Sequence, residues 1–171
     1  MIKKAKNISR YQRKKMNKLV RGIYCNEEDD IFDCYLIRYP TGVISLRSAL
    51  SYYSIIDEWI TPPFDMVFQV GYRKIKDDNI RQFIEKKEIL LLGTRKVIRN
   101  NIEFLIYNKE RLLLEVFRKE KYLSLEDYKQ AIFHYRQLAN EGKLNIPLLK
   151  QYISQVPKSN IYLRRLLREV L

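Results

Sequence analysis

Apolar and polar residues alternate in the two-residue period of β-strands in several segments before Lys109. From Phe64 to Tyr72 every second residue is apolar or aromatic, with Asp65 and Gln69 opposite, which predicts a half-buried strand. Further strands are predicted at 33–39, 80–84, 95–99 and 102–107. The last two flank Asn100-Asn101, which predicts a hairpin because Asn tolerates the positive φ of a tight turn.

The second half of the chain changes to the helical period. Four helices are predicted from Lys109 onward, because apolar residues recur every three or four positions behind capping residues such as Ser124 and Asn145. Ser45 predicts the start of an earlier helix. Residues 2–15 also read as a helix, and a turn or hairpin tip is predicted at Arg21-Gly22. Strands followed by helices predict an α+β fold with a mixed β-sheet and C-terminal helices.

Charge divides the chain into two parts. The 171 residues carry a net charge of +13, and residues 1–21 contain nine Lys or Arg and no acidic residue. The acidic stretch Asn26 to Asp30 marks a boundary, so we predict a basic segment at 1–25 and an α+β domain at 31–171. Such a basic segment suits phosphates, because neutralising them releases counterions. A solvated Lys-rich terminus fits the charge equally well.

Residues that support catalysis are few. His134 is the only histidine, and on an amphipathic helix we interpret it as a packed or surface residue. Asp65 followed by Glu85 and Lys87 matches the short D…ExK pattern of Mg²⁺-dependent nucleases, in which carboxylates hold the metal. A chain rich in Glu and Lys produces this pattern by chance, and the solvated end of a strand is the competing interpretation.

The two cysteines and the hydropathy give further expectations. Cys25 and Cys34 have no CxxC spacing or nearby histidine ligands, so no zinc site is predicted and reduced thiols in the cytoplasm are expected. No apolar run approaches the ~18 residues of a membrane span. No apolar segment follows the cationic N-terminus, so no secretory signal is predicted.

The order of five stretches resembles the AbiEi-type antitoxins of type IV toxin–antitoxin systems, which are bacterial transcriptional regulators paired with a nucleotidyltransferase-like toxin. The stretches are "LVRGIYC", "RYPTGVISLRSAL", "FQVGYRK", "LIYNKERLLLEVFRK" and "AIFHYRQLAN", and the similarity runs from about Ser9 to the end. In the family's E-R-T-x-x-D pattern Glu110 and Arg111 match, whereas Leu112 replaces Thr and Glu115 stands in for Asp. The segment before Gly22 is shorter than the family's winged helix-turn-helix.

The resemblance implies two roles. The α+β domain would neutralise a cognate nucleotidyltransferase-like toxin, and a partial winged-helix segment would bind promoter DNA. We expect no enzyme activity, cofactor or metal, and a monomer or weak dimer. The alternative is a stand-alone regulator that binds DNA or RNA.

Specific residues follow from these roles. The expected DNA contacts are Ser9, Arg10, Tyr11, Arg13, Lys14, Lys18 and Arg21, with Arg21-Gly22 as the wing tip. A plain β-turn packed on the domain is the other interpretation of "VRGIY". The expected toxin contacts are Arg111, Arg118, Lys119 and Lys121, although ordinary end charges of a helix explain the same pattern.

Overall fold

The computed structural model describes residues 30–171 and, before them, the backbone of three short strands: β1 (Lys3–Lys4), β2 (Asn17–Val20) and β3 (Ile23–Cys25). These strands form an antiparallel sheet in the order β1-β3-β2. β2 pairs antiparallel with β3, and the turn predicted at Arg21-Gly22 lies outside the described residues. Lys3 and Lys4 pair with β3, so the predicted helix over 2–15 is wrong at these two residues.

A five-stranded sheet is the centre of residues 30–171. Its strands are β4 (Val43–Ile44), β5 (Phe64–Gln69), β6 (Ile80–Glu85), β7 (Thr94–Arg99) and β8 (Ile102–Tyr107). The order is β6-β5-β4-β8-β7. The β5–β6 and β4–β8 pairs are parallel, whereas β4–β5 and β7–β8 are antiparallel. The predicted mixed sheet is therefore confirmed.

The hairpin between β7 and β8 turns as predicted. Asn100 and Asn101 have φ values of 50° and 61°, the left-handed conformation that a two-residue turn requires at both central positions. The Asn100 side chain also donates a hydrogen bond to Asp33 Oδ2 (2.8 Å), which ties the turn to the first helix.

The prediction that β5 is half-buried is wrong. All of its residues except Gln69 are buried, and Val70, placed on the buried side, is 58% exposed. The strand lies inside the sheet, with helices on both faces. The ring centroid of Phe64 lies 5.2 Å from that of Phe32 on one face, and Asp65 accepts a hydrogen bond from a helix on the other. Strands covered on both faces lose the alternation of polar and apolar positions.

Seven α-helices occur within residues 30–171. They are α1 (Ile31–Arg38), α2 (Leu46–Tyr52), α3 (Lys87–Leu91), α4 (Lys109–Arg118), α5 (Leu125–Asn140), α6 (Ile146–Ser154) and α7 (Ser159–Glu169). A short 3₁₀ turn, Glu120–Tyr122, follows α4. The predicted caps Ser124 and Asn145 accept backbone hydrogen bonds from Asp127 and Leu148. The α+β fold with C-terminal helices is confirmed.

The predicted strand at 33–39 is wrong, because Ile31–Arg38 form α1. Asp30 caps this helix by accepting a hydrogen bond from the Phe32 backbone N–H (2.8 Å). Every residue from Phe32 to Leu36 is buried, so α1 shows no polar stripe in the sequence. Cys34, within this buried run, is disulfide-bonded, contrary to the expectation of reduced thiols.

No helix among the described residues is long and apolar enough to cross a membrane.

Candidate partner-contact site

Helix α4 contains several charged side chains that are buried in the core of the domain and paired with one another. Arg111 and Glu115, one turn apart, are both fully buried, and Arg111 Nη2 lies 2.8 Å from Glu115 Oε1. The same carboxylate pairs with Arg118 (2.6 Å) and with Lys119. Arg118 also reaches Glu85 at the end of β6 (2.7 Å). We call these five residues the α4 ion cluster.

The electrostatics of the cluster keep Glu115 ionised. Burial raises the pKa of the Glu115 carboxyl, but Lys119, Arg111 and Arg118 together lower it to about 2. Burial lowers the pKa of Arg118, and the carboxylates of Glu115 and Glu85 more than reverse this effect. The two carboxylates therefore offset two of the three cations, and the cluster keeps a net charge of +1.

Arg111 is fully buried, so a partner could not contact its side chain. Its guanidinium carbon lies 4.8 Å from the ring centroid of Tyr107, and its exposed fraction is zero. Gly93 makes room for it, since a Cβ at Gly93 would lie 2.4 Å from the Arg111 Cβ. The prediction that Arg111 contacts a toxin directly is thus incompatible with its position.

Near the end of α4, cations lie against two aromatic rings, of which Phe83 is buried and Tyr122 is 40% exposed. Lys119 Nζ lies 4.7 Å from the ring centroid of Phe83, and Lys121 Nζ lies 4.9 Å from that of Tyr122. The two rings meet edge to face at 5.0 Å, and the Arg81 guanidinium lies 5.8 Å from the Tyr122 centroid. We call Arg81, Phe83, Lys119, Lys121 and Tyr122 the cationic–aromatic face.

The α4 ion cluster positions the cationic–aromatic face. Glu115 and Glu85 both hold Lys119, whose side chain is only 11% exposed, while Lys121 and Tyr122 project into solvent. Lys86 and Lys87, directly after Glu85, are also exposed. Ammonium groups beside an exposed ring such as that of Tyr122 can bind carboxylates or phosphates, and the ring adds apolar contact area.

Of the predicted toxin contacts, Lys121 is exposed, whereas Arg118 and Lys119 are partly buried and already paired with carboxylates. The set of toxin contacts predicted from the sequence did not include Tyr122, Phe83, Arg81 or Glu115. The spacing Arg111–Glu115–Lys119 was the available signal, because residues four apart meet on one side of a helix.

Asp65, Glu85 and Lys87 do not meet as a nuclease site would require. Asp65 is fully buried, and Arg81 donates two hydrogen bonds to its carboxylate, one of them from Nη2 at 2.8 Å. The register of β5 and β6 pairs Asp65 with Arg81, so Glu85 lies four residues further along, about 13 Å away. Lys87 is exposed on α3. Both carboxylates thus serve ion pairs.

Other catalytic arrangements have little support in residues 30–171. His134 lies half-buried on α5, where burial and Lys109 lower its pKa. The described residues contain no group of three or more His, Cys, Asp or Glu side chains that could hold a metal ion.

Most of the predicted DNA contacts fall outside the described residues, namely Ser9, Arg10, Tyr11, Arg13, Lys14 and Arg21. Lys18 lies in β2 opposite Tyr24 of β3, which places it on the hairpin.

No model of a known protein family matches the chain, and no curated protein matches it either.

Proposed function

We propose that the chain is an antitoxin-like protein that neutralises a nucleotidyltransferase-type toxin by protein–protein contact and has no enzyme activity of its own. The contact is made through the cationic–aromatic face. The proposal rests on the exposed residues Lys121 and Tyr122, which lie next to the α4 ion cluster. The ion pairs of that cluster hold Lys119 in place.

Packing among the resembling stretches supports the proposal. Gly42, in "RYPTGVISLRSAL", lies against Phe68, in "FQVGYRK": a Cβ at Gly42 would lie 2.8 Å from the Phe68 ring. Val43 pairs with Leu105, in "LIYNKERLLLEVFRK", across the parallel β4–β8 ladder. Three of the five stretches therefore meet at the centre of one sheet, as expected if they specify a common fold.

The charge of the face suits the proposed target. Enzymes that transfer nucleotides hold Mg²⁺ through carboxylates and substrate phosphates. A protein that presents ammonium groups beside an aromatic ring can pair with such carboxylates in the absence of the metal. Lys121 and Tyr122 are exposed for this contact, and Lys119 and Arg81 lie behind them.

The test compares the double variant Lys121→Ala/Tyr122→Ala with Lys150→Ala, which removes an exposed lysine from α6. The partner to be tested is the product of the neighbouring gene, which the proposal expects to be a nucleotidyltransferase-like protein. We expect the double variant to lower affinity at least ~10-fold and to lose rescue of toxin-inhibited growth. Lys150→Ala should behave as the wild type, and both variants should keep the wild-type melting temperature. Unchanged affinity of a folded double variant refutes this contact.

A second function, binding of promoter DNA by the N-terminal segment, is supported by the nine cations of residues 1–21 and the β2–β3 hairpin. Binding to the chain's own promoter should weaken steeply as salt increases, because each phosphate contact releases counterions. Arg21→Ala should reduce the salt slope. A flat salt response contradicts phosphate contacts. DNA binding without any binding of the neighbouring protein favours the stand-alone regulator.

A further inference from the structure

A surface groove of about 690 Å³ lies beside the end of α2 and the loop that follows this helix. Tyr52, Ile56, Ile60 and Trp59 provide its apolar lining, and its charged lining residues are Asp30, Asp57, Glu58 and Arg99. Arg99 pairs with Asp30 (2.5 Å). We call this surface the Trp59 groove.

Trp59 is the only tryptophan of the chain, and its side chain is 89% exposed. Tryptophan side chains are mostly buried on average, and tryptophan is enriched among the residues that dominate protein–protein binding. The loop that carries it is anchored, because Ile55 and Ile56 are buried and the Asp57 backbone N–H donates to Gln130 Oε1 (3.0 Å). The backbone next to the indole is therefore held in place.

The charge of the Trp59 groove is opposite in sign to that of the whole chain, because three carboxylates and one arginine, Arg99, line it. Between Arg47 and Arg73 the sequence has no Lys or Arg, although the whole chain has a net charge of +13. Glu58 pairs with Arg47, whereas none of the ion pairs among the described residues reaches the exposed Asp57 carboxylate. The Trp59 groove therefore offers an aromatic face and an available carboxylate side by side.

We propose that the Trp59 groove is a docking site for a cationic segment of a protein partner that also carries aliphatic side chains. A Lys or Arg of the partner lies on the indole and pairs with Asp57, while an aliphatic side chain occupies the lining between Tyr52 and Ile60. This surface is separate from the cationic–aromatic face and has the opposite charge, so the inference does not depend on the toxin contact.

The single tryptophan makes the test direct, because fluorescence excited at the long-wavelength edge, where the 13 tyrosines do not absorb, reports on Trp59 alone. The probe is the peptide acetyl-Leu-Arg-Leu-Arg-Leu-amide, and the control peptide replaces both arginines with glutamate. We expect a saturable change and a blue shift of the emission with the arginine peptide, and neither with the glutamate peptide. Equal responses to the two peptides, or no saturable response to the arginine peptide, overturn the proposal.

A variant pair checks the role of the carboxylate. Asp57→Asn should weaken binding of the arginine peptide about tenfold, whereas Asp78→Asn, which removes another exposed carboxylate, should leave it unchanged. Calorimetric titration of Trp59→Phe should also show weaker binding, because phenylalanine attracts cations less than tryptophan does. Thermal melts establish that each variant is folded. A folded Asp57→Asn protein with wild-type affinity overturns the proposal.

Discussion

Replacing Glu115 with glutamine tests whether the α4 ion cluster stabilises the domain. The substitution keeps the shape of the side chain but removes the negative charge that Arg111, Arg118 and Lys119 share. Arg111 is fully buried, so its charge would then lack a carboxylate partner within the core. Breaking a buried ion pair from one side typically costs about 3–5 kcal/mol.

The pKa of Glu115 gives an independent magnitude. A carboxyl whose pKa falls from 4.5 in the unfolded chain to about 2 in the folded one stabilises the fold by about 3 kcal/mol at neutral pH. Because the folded value is the lower one, this stabilisation is complete above pH ~5 and is lost as the pH falls toward 2. By linkage, about 1 kcal/mol is lost by pH 4 and about 2 kcal/mol by pH 3.

Urea denaturation at pH 7, 4 and 3 measures both quantities. We expect Glu115→Gln to lower the free energy of unfolding by about 3–5 kcal/mol at pH 7 and by progressively less at lower pH. The matched control is Glu103→Gln, since Glu103 pairs with Lys96 at 2.9 Å but is 57% exposed, and its loss should cost under ~1 kcal/mol. A cost below ~1 kcal/mol for Glu115→Gln, or a cost that does not change with pH, refutes the reasoning.

Three further substitutions test other parts of the fold. Gly93→Ala should lower the stability in thermal denaturation by about 3 kcal/mol, because φ is 69° and the added Cβ would overlap the Arg111 side chain. Gly142→Ala is the control: φ is 66°, but the space around it is open, so the cost should be only about 1 kcal/mol. Similar costs at the two glycines would contradict the overlap. Asn101→Ala should cost about 1 kcal/mol and Asn101→Gly under ~0.5 kcal/mol, since φ is 61°; equal costs in urea denaturation would argue against the turn geometry. Asp65→Asn should cost about 1.5–3 kcal/mol in the same assay, because Arg81, which is 27% exposed, loses the carboxylate that accepts its hydrogen bonds. A cost under ~0.5 kcal/mol would show that the pair is dispensable.

The sequence correctly predicted the elements whose ends contain turn or capping residues. The β7–β8 hairpin follows from Asn100-Asn101, and the start of α5 from Ser124, because turns and caps depend on neighbouring residues alone. Helix α1 was predicted as a strand because its residues are buried on nearly every side. A fully buried helix and a fully buried strand have the same apolar sequence pattern.

The candidate site was only partly predictable for a different reason. The sequence placed Arg118, Lys119 and Lys121 at one end of α4, but it could not show that Glu85, thirty-odd residues earlier, approaches them. Asp65 and Arg81 likewise meet only because β5 and β6 pair in parallel. Contacts between distant segments depend on the register of the sheet, which periodicity within one segment does not specify.

The shortest strand of the central sheet has a consequence for how the chain folds. β4 contributes two residues, yet it joins the β5–β6 half of the sheet to the β7–β8 half. Its pairing with β8 brings Val43 to Leu105 across roughly 60 residues, whereas the β7–β8 hairpin closes over two. Loop closure over such a span slows folding, so the hairpin is expected to form first and the joining of the halves to limit the refolding rate.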